Sequence, residues 1–289
     1  MGELILPRMA VVGWPANPGL GTAGDAAAGA GSVLFDTSFT AQETLANTGV
    51  PPFNANWLGG ATDGGGWWQD VNSNPGGSTP GAFASGFVAG TNDDLAVLKS
   101  SAVACPANFW MEGTLRRVPG YFPTGTLVSH EVELLSRFNI ANNNSTGYEF
   151  IVGFRSDGVA YCSWVMWQGV HGVFGALWDP GAETTPILLP SVPVDGDVFR
   201  IEVVGVTGDA TATATLYWNG TQFGPTANTT TNSGLAVGAG ALPVNLRKDF
   251  SSGTQPTWDS GQPGVGFWPN GGSTLNSLGW KRLRFGAFP

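Results

Sequence analysis

The chain has 289 residues, a formal net charge of −9 and only 12 Lys and Arg residues. This balance argues against nucleic acids and anionic membranes as partners, because phosphate groups are bound by basic faces. Hydrophobic residues make up 42% of the chain and charged residues 11%, so we expect a large core beneath a surface of Ser, Thr, Asn, Gln and Gly.

Residues 1–32 combine a short apolar head with a Gly-, Ala- and Pro-rich stretch that has no helical or strand period. We interpret this segment as an N-terminal docking peg followed by a flexible linker. The apolar side chains of the head are Leu4, Ile5, Leu6 and Met9. The head is either a loose terminus or a peg that inserts into a partner protein.

The same N-terminal residues lack the basic leader of a secretory signal, and no run of about 18 apolar residues occurs in the chain. We therefore expect the protein to fold in the cytoplasm. A surface with so little charge is, however, typical of proteins that work outside cells. A virus particle assembled in the host cytoplasm, with this protein on the virion surface, satisfies both expectations.

From Val33 onward the chain alternates apolar and polar residues, which is the two-residue period of half-buried strands. The alternating segments are residues 129–140, 146–156, 197–206, 210–220 and 279–288. Clusters of Gly, Asn, Asp and Ser separate them, and Asn219-Gly220 predicts a tight hairpin turn. No segment has a capped helical period. The pattern predicts an all-β protein, either an antiparallel sandwich or a barrel.

Two glutamates share one face of the predicted strand 129–140. Glu131 and Glu133 lie one strand repeat apart, roughly 7 Å from the rise per residue. Paired carboxyl groups are what glycoside hydrolysis needs across a sugar bond. The alternative is a solvated strand face with Arg137 nearby.

Other acidic residues and the two cysteines suggest little chemistry. Asp93-Asp94 and the pair Asp195 and Asp197 are typical of turns, where a calcium site is an alternative. Apart from calcium we expect no cofactor, because two His residues exclude a His-rich metal site.

The cysteines, Cys105 and Cys162, cannot form a multi-bridge framework. We expect two buried thiols, with one disulfide as the alternative.

Tryptophans in Gly-rich or polar sequence are the candidates for a glycan-binding surface. An indole stacks on a sugar ring while neighbouring Asn, Gln and Asp side chains bond its hydroxyls. The alternative for each one is the core, where Trp is commonly found. Because the chain has 12 tryptophans, we expect at least one exposed pair. The candidates are Trp67, Trp68, Trp167, Trp178 and Trp258.

The stretch SGQPGVGFW, residues 260–268, is either an apolar loop or a strand that needs its glycines. Together with DVFRIEVVG, ATLYWNGT and LGWKRLRFG, it resembles in order and spacing the last strands of concanavalin A-like (LamG-type) jelly-roll domains. The segment VLFDTSFTAQETLANTGVPPFNANW is similar to the opening of such domains. The resemblance covers residues 33–289 and implies an antiparallel jelly-roll sandwich. Residues 264–268 then form a strand in which Gly264 and Gly266 admit neighbouring backbone or bulky aromatic side chains.

The chain departs from the catalytic members of that family. Laminarinase-like relatives carry the motif ExDxxE, whereas this chain has EVELLS, with Ser136 in place of the second essential carboxylate. The QxH and YxKxG motifs of alginate-lyase-like members are absent. The resemblance therefore implies a protein without enzyme activity.

Taken together, the sequence favours a non-enzymatic structural protein of a bacteriophage or similar virion, a capsid decoration or a tail or fibre accessory protein. We expect its lectin-like jelly roll to bind glycans of a cell surface and the protein to form a homo-oligomer. The alternatives are a secreted carbohydrate-active enzyme, a hydrolase or lyase with Glu131 and Glu133 as its acid and base, and a free lectin.

Overall fold

The computed structural model describes residues 31–39, 43–44, 57–59, 71–73, 83–86, 94–125, 128–140, 145–168, 174–178, 189–205, 212–227, 233–246, 249–250, 253–254, 260–269 and 277–288. These residues form twenty β-strands and no helix, so none of them provides a helix that could span a bilayer. Every strand pairing between them is antiparallel.

The larger sheet has eleven strands among the described residues. The strands are β1 (Val33–Thr37), β2 (Glu43–Thr44), β4 (Val71–Ser73), β5 (Ala84–Gly86), β7 (Phe109–Arg117), β12 (Val198–Val204), β13 (Thr213–Trp218), β14 (Thr221–Pro225), β15 (Leu235–Val237), β16 (Val244–Asn245) and β20 (Leu278–Ala287). They run in the order β15-β14-β13-β12-β7-β20-β5-β4-β2, with β1 paired to β20 and β16 to β13.

The second sheet has seven strands in the part of the chain described. They are β3 (Trp57–Gly59), β6 (Asp94–Leu98), β8 (Ser129–Asn139), β9 (Thr146–Arg155), β10 (Ala160–Gln168), β11 (Phe174–Trp178) and β19 (Gln262–Pro269). Their order is β11-β10-β9-β8-β19-β6-β3. A separate ribbon pairs β17 (Asp249–Phe250) with β18 (Gly253–Thr254).

The two sheets pack face to face around an aromatic core, which confirms the predicted all-β antiparallel sandwich. Phe150 of β9 lies 5.9 Å from Phe223 of β14 and 6.1 Å from Phe199 of β12, measured between ring centroids. The indole N–H of Trp280 in β20 donates a hydrogen bond to the backbone oxygen of Glu133 in β8 at 3.0 Å. Aromatic pairs at these separations contribute beyond the apolar area that they bury.

The outward faces of the two sheets differ. The eleven-stranded sheet carries half-buried ion pairs on its outer face, such as Arg200 with Glu202 at 2.9 Å and Arg284 with Glu112 at 3.5 Å. The outer face of the seven-stranded sheet is instead buried and has its own apolar cluster, which consists of Leu95, Val97, Leu135, Phe138, Ile151, Tyr161, Val165 and Trp167. The smaller sheet therefore has two interiors, one on each side.

Two local predictions about turns and strands are confirmed. Asn219 and Gly220 connect β13 to β14 with φ angles of 49° and 78°, the left-handed pair of a tight hairpin turn. The stretch that contains Gly264 and Gly266 is β19, which lies between β8 and β6 near the middle of the seven-stranded sheet.

Gly264 admits neighbouring backbone, as predicted, but neither glycine of β19 makes room for a bulky aromatic side chain. A Cβ atom at Gly264 would overlap the backbone oxygen of Ala96 and lie 2.9 Å from Val97 Cγ1. A Cβ atom at Gly266 would overlap Glu133 Oε2. The glycines that admit indoles lie in the other sheet, at Gly113 against Trp280 and at Gly286 against Trp110.

We expect Gly264→Ala to lower the free energy of unfolding by about 1–3 kcal/mol, because the added methyl group meets backbone that cannot move aside. Gly234→Ala is the matched control, since its Cβ would lie at an ordinary 3.5 Å from Thr226 Oγ1. Urea unfolding followed by tryptophan fluorescence measures both. Equal stability of the two variants would contradict the close packing of β19.

Candidate functional site

Three glutamates and several aromatic side chains converge on the outer side of the seven-stranded sheet. We call this surface the glutamate face; it comprises Glu131 and Glu133 of β8, Glu149 of β9, Tyr161 and Trp167 of β10, and Trp268 of β19. Side chains alternate across a strand, so residues two apart on these strands lie on one side of the sheet. The strand register places Trp268 opposite Glu131 and Gly266 opposite Glu133.

Glu131 is fixed by a tyrosine two strands away. The hydroxyl of Tyr161 donates a hydrogen bond to Glu131 Oε1, and both side chains are buried. Gly153 of β9 lies between them in the sheet, and a Cβ atom there would overlap the Tyr161 ring. The missing side chain at Gly153 therefore lets the phenol lie across β9 and reach the carboxylate.

Glu149 is fixed by an indole. Trp167 Nε1 donates to Glu149 Oε2 at 2.6 Å, and Glu133 lies on the same side of the neighbouring strand, opposite Ile151. Burial raises the pKa of Glu149, although Glu133 and the Trp167 indole act in the opposite direction. Glu133 itself is 0% exposed, so this acidic pair lies in the protein interior.

The prediction of a solvated strand face at Glu131 and Glu133 is wrong. Both side chains are buried, because this face of the sheet has an apolar cluster of its own. Arg137 adopts a φ of 47° at a bulge in β8, and its Nη2 atom donates to the backbone oxygens of Ala107, at 2.6 Å, and Gly205.

The predicted tryptophans occupy different environments. Trp167 belongs to the glutamate face but is only 2% exposed, with its ring edge against Phe138 at 5.9 Å. Trp178 is 1% exposed in the core between the sheets, where its N–H donates to the oxygen of Ser233 at 3.1 Å. Trp178 thus belongs to the core, which was the alternative for each candidate, and has no ring face open to a ligand.

Several predicted positions lie outside the described residues. These are the remaining tryptophan candidates Trp67, Trp68 and Trp258, and the side chains of the apolar head, Leu4, Ile5, Leu6 and Met9. The first described strand begins at Val33, the residue at which the sequence predicts the sandwich to start.

Three members of the glutamate face were not among the predicted site residues. Glu149 lies in the alternating segment 146–156, and Trp268 lies in the stretch 260–268 that resembles a family strand. Tyr161 follows the segment 146–156 in the next strand, β10. Alternation places a residue on one side of its own strand only. The order of strands in the sheet, which brings β10 and β19 to the two sides of β8 and β9, is needed to bring these residues together.

The carboxylate oxygens of the acidic turn at residues 194–197 accept hydrogen bonds from other groups of the protein. Asp195 Oδ2 accepts from Lys281 Nζ at 2.6 Å, and its Oδ1 accepts from the backbone N–H of Arg117 at 3.0 Å. Burial raises the pKa of Asp195, but these hydrogen bonds and the nearby cations outweigh it and lower the pKa overall. Asp197 Oδ2 accepts from the Trp218 indole at 3.0 Å. Within the described ranges, no three His, Cys, Asp or Glu side chains are grouped as metal ligands.

The cysteines are two free thiols rather than a disulfide, but only one of them is buried as expected. Cys162 is buried in the core, whereas Cys105 is half-buried at its edge. Burial raises the pKa of Cys105 to about 12, so it remains a thiol at neutral pH and does not have the character of a nucleophile.

No family model, curated protein or solved structure matches this chain.

We expect Tyr161→Phe to lower the free energy of unfolding by about 1–3 kcal/mol, because it removes a hydrogen-bond donor from the buried carboxylate of Glu131. The matched control is Tyr217→Phe, since the Tyr217 hydroxyl donates to Glu202 at 3.2 Å in a half-buried position that water reaches. Its loss should be within about 0.5 kcal/mol. Denaturant unfolding at neutral pH measures the free energy of unfolding of both variants. Equal losses of unfolding free energy would contradict a larger contribution from the Tyr161–Glu131 hydrogen bond.

Proposed function

We propose that this chain is a non-enzymatic structural protein of a bacteriophage-like particle, with a concanavalin A-like jelly roll that binds glycans at the glutamate face. The observation that carries the binding proposal is the juxtaposition of Trp268 and Glu131. Trp268 is half-buried and lies directly opposite Glu131 in the strand register. The part of the Trp268 indole that is not buried offers a surface on which a sugar ring can stack, and the buried carboxylate of Glu131 fixes this margin of the face.

The family part of the proposal is supported by where the resembling segments lie. The segment SGQPGVGFW forms β19, between β8 and β6 in the seven-stranded sheet. The segment LGWKRLRFG forms β20, beside β7 in the other sheet. Two antiparallel sheets with these strands at inner positions are compatible with the jelly-roll order that the resemblance implies. Fold alone does not specify chemistry, so the binding proposal depends on the glutamate face.

The absence of enzyme activity is supported by the burial of the two candidate carboxyl groups. A glycosidase holds its acid and its nucleophile or base about 5 Å or more apart, with the sugar bond between them. Glu131 and Glu133 are instead buried, and Glu131 Oε1 accepts from the Tyr161 hydroxyl. Ser136, at the position of the missing family carboxylate, pairs with Tyr148 of the sandwich core and is fully buried. These residues serve the packing of the sheet better than they would serve a reaction.

The particle part of the proposal is supported by composition and by the outer face of the larger sheet. Only 11% of the residues are charged. On that face the charges are paired, as in Arg282 with Asp36 at 2.6 Å and Lys281 with Asp195 at 2.6 Å. A surface with few unpaired charges is compatible with tight packing against copies of the same chain and against other virion proteins.

We expect Trp268→Ala to weaken binding on a glycan array at least about fivefold, the equivalent of roughly 1 kcal/mol for a lost stacking contact. Trp218→Phe is the control, because Trp218 is a half-buried tryptophan on the other sheet. Bound glycan should be recovered intact. Undiminished binding by Trp268→Ala would contradict the proposed surface, and cleaved glycan would favour the enzyme alternative.

We expect removal of residues 1–12 to abolish incorporation of the protein into particles while its sandwich still folds, because the apolar head is the proposed docking peg. Co-sedimentation with purified particles, with circular dichroism as the folding control, measures this. The full-length chain mixed with the same particles is the reference. Normal incorporation of the shortened chain would contradict the peg.

A further inference from the structure

Four charged side chains of alternating sign form a row across the outer face of the eleven-stranded sheet. Asp36 of β1 lies opposite Arg284 of β20 in the strand register. Arg284 lies opposite Glu112 of β7, which in turn lies opposite Arg200 of β12. We call these four residues the charge row. Because neighbouring strands are about 4.8 Å apart, the signs alternate as minus, plus, minus, plus over roughly 14 Å.

The charge row is held in place by contacts within the chain. Arg284 Nη1 lies 3.5 Å from Glu112 Oε1, and Arg200 Nη1 lies 3.9 Å from Glu112 Oε2. The guanidinium groups of Arg200 and Arg284 lie over the ring of Trp110, 4.4 Å and 5.4 Å from its centroid. Side chains that are already ordered lose little conformational entropy when a partner covers them.

Two exposed apolar side chains flank the charge row, one on each of its outermost strands. Val204, at the end of β12, is 47% exposed, and Leu34 of β1 is 41% exposed. Leu34 precedes Phe35, which packs against the core, so Leu34 lies on the outer side of its strand. Both side chains lie on the Trp110 side of the row, because β12 reaches Val204 and β1 reaches Leu34 in the direction in which β7 reaches Trp110.

We propose that this face is the interface between two copies of the chain, related by a twofold axis that runs along the strands between β20 and β7. Such an axis reverses the order of the charge row. It therefore places Asp36 over the partner's Arg200 and Arg284 over the partner's Glu112, so that every charge meets an opposite one. A twofold axis along the row would instead place like charges over one another.

The same axis brings the two apolar flanks together. It exchanges β1 with β12 and keeps the direction of the strands, so Val204 of each copy lies against the partner's Leu34. A twofold interface repeats this contact on both sides of the axis. The charges and the apolar side chains thus select the same arrangement independently.

The sheet is wide enough for a stable dimer. A standard interface buries about 800 Å² on each partner, which is about six strands wide at a spacing of about 4.8 Å. The strands β1, β20, β7, β12, β13 and β14 follow one another in this sheet, and β7 and β20 are nine and ten residues long. Each covered charge has an opposite charge above it as well as beside it, which offsets its lost hydration.

The pairing goes beyond the proposed function, because it follows from this outer face alone and needs neither glycan binding nor the docking peg. The experiment uses sedimentation equilibrium of the full-length chain, which should be a dimer. Val204→Asp and Leu34→Lys should each raise the dissociation constant of the dimer at least about thirtyfold, because each change acts at two symmetric contacts. An equal mixture of the two variants should dimerise again. In the mixed dimer the introduced carboxylate meets the introduced ammonium group, and the second contact keeps its original side chains.

Val237→Asp is the matched control. Val237 is a 42% exposed valine at the edge strand β15, opposite the core residue Phe223, and therefore does not belong to the outer face. This variant should dimerise like the unsubstituted chain, and circular dichroism checks that all variants fold. If one test variant fails to fold, comparison of the other with Val237→Asp still decides.

Three results would overturn the pairing. They are an unsubstituted chain that stays monomeric, which leaves the face to a different protein, a dimer that both test variants retain, and a mixture that does not dimerise. None of these results bears on the glycan array or on incorporation into particles, so failure of this pairing is distinguishable from failure of the proposed function.

Discussion

The burial of acidic side chains on the second interior of the seven-stranded sheet is the constraint on which the rest of the structure depends. Most antiparallel sheets leave one face to water, where carboxylates are solvated without help. Here both faces are buried, and Glu131, Glu133 and Glu149 lie on one of them. An isolated buried carboxylate costs several kcal/mol, so the fold must supply donors or protons.

The donors that the structure shows are a phenol and an indole. Tyr161 and Trp167 each offer a single N–H or O–H from an otherwise apolar ring, so they satisfy a glutamate without bringing a cation into the cluster. The glycines at positions 153 and 266 then have a common purpose, because each leaves the space that one of these polar groups occupies. Glycine and aromatic residues at these positions thus accommodate the buried acids of this sheet.

The eleven-stranded sheet solves the same problem in the opposite way. Its outer face combines guanidinium groups with carboxylates, and Trp110 lies between two of them, 4.4 Å from Arg200 and 5.4 Å from Arg284. Because these pairs are half-buried, water shares in their solvation and each contributes little stability by itself. Among the described residues, Arg200, Arg282 and Arg284 are paired with carboxylates on this outer face, so a chain with only 11% charged residues still has two chemically different sheet faces.

The difference between a buried and a partly solvated outer sheet face explains which features the sequence could predict. Alternation is a local property, and it was sufficient for the strands within residues 129–140, 146–156, 197–206, 210–220 and 279–288. The hairpin followed from the Asn219-Gly220 turn signal, and the strand that contains Gly264 and Gly266 from the family resemblance. Exposure is a property of the whole sheet, since alternation distinguishes two sides of a strand without saying whether a second layer covers each one. The glutamates of β8 were therefore placed on the correct side and given the wrong environment.

The partners of those glutamates required a further step, because they come from β9 and β10 and from long-range pairing. A glutamate in β8 and another in β9 look equally solvated in sequence, yet both are buried on one face of the sheet. The donors to Glu131 and Glu149 are a phenol and an indole of β10, which no pattern in β8 or β9 indicates. The proposed binding surface therefore depends on the margin of this face, where Trp268 lies opposite Glu131, rather than on its buried centre.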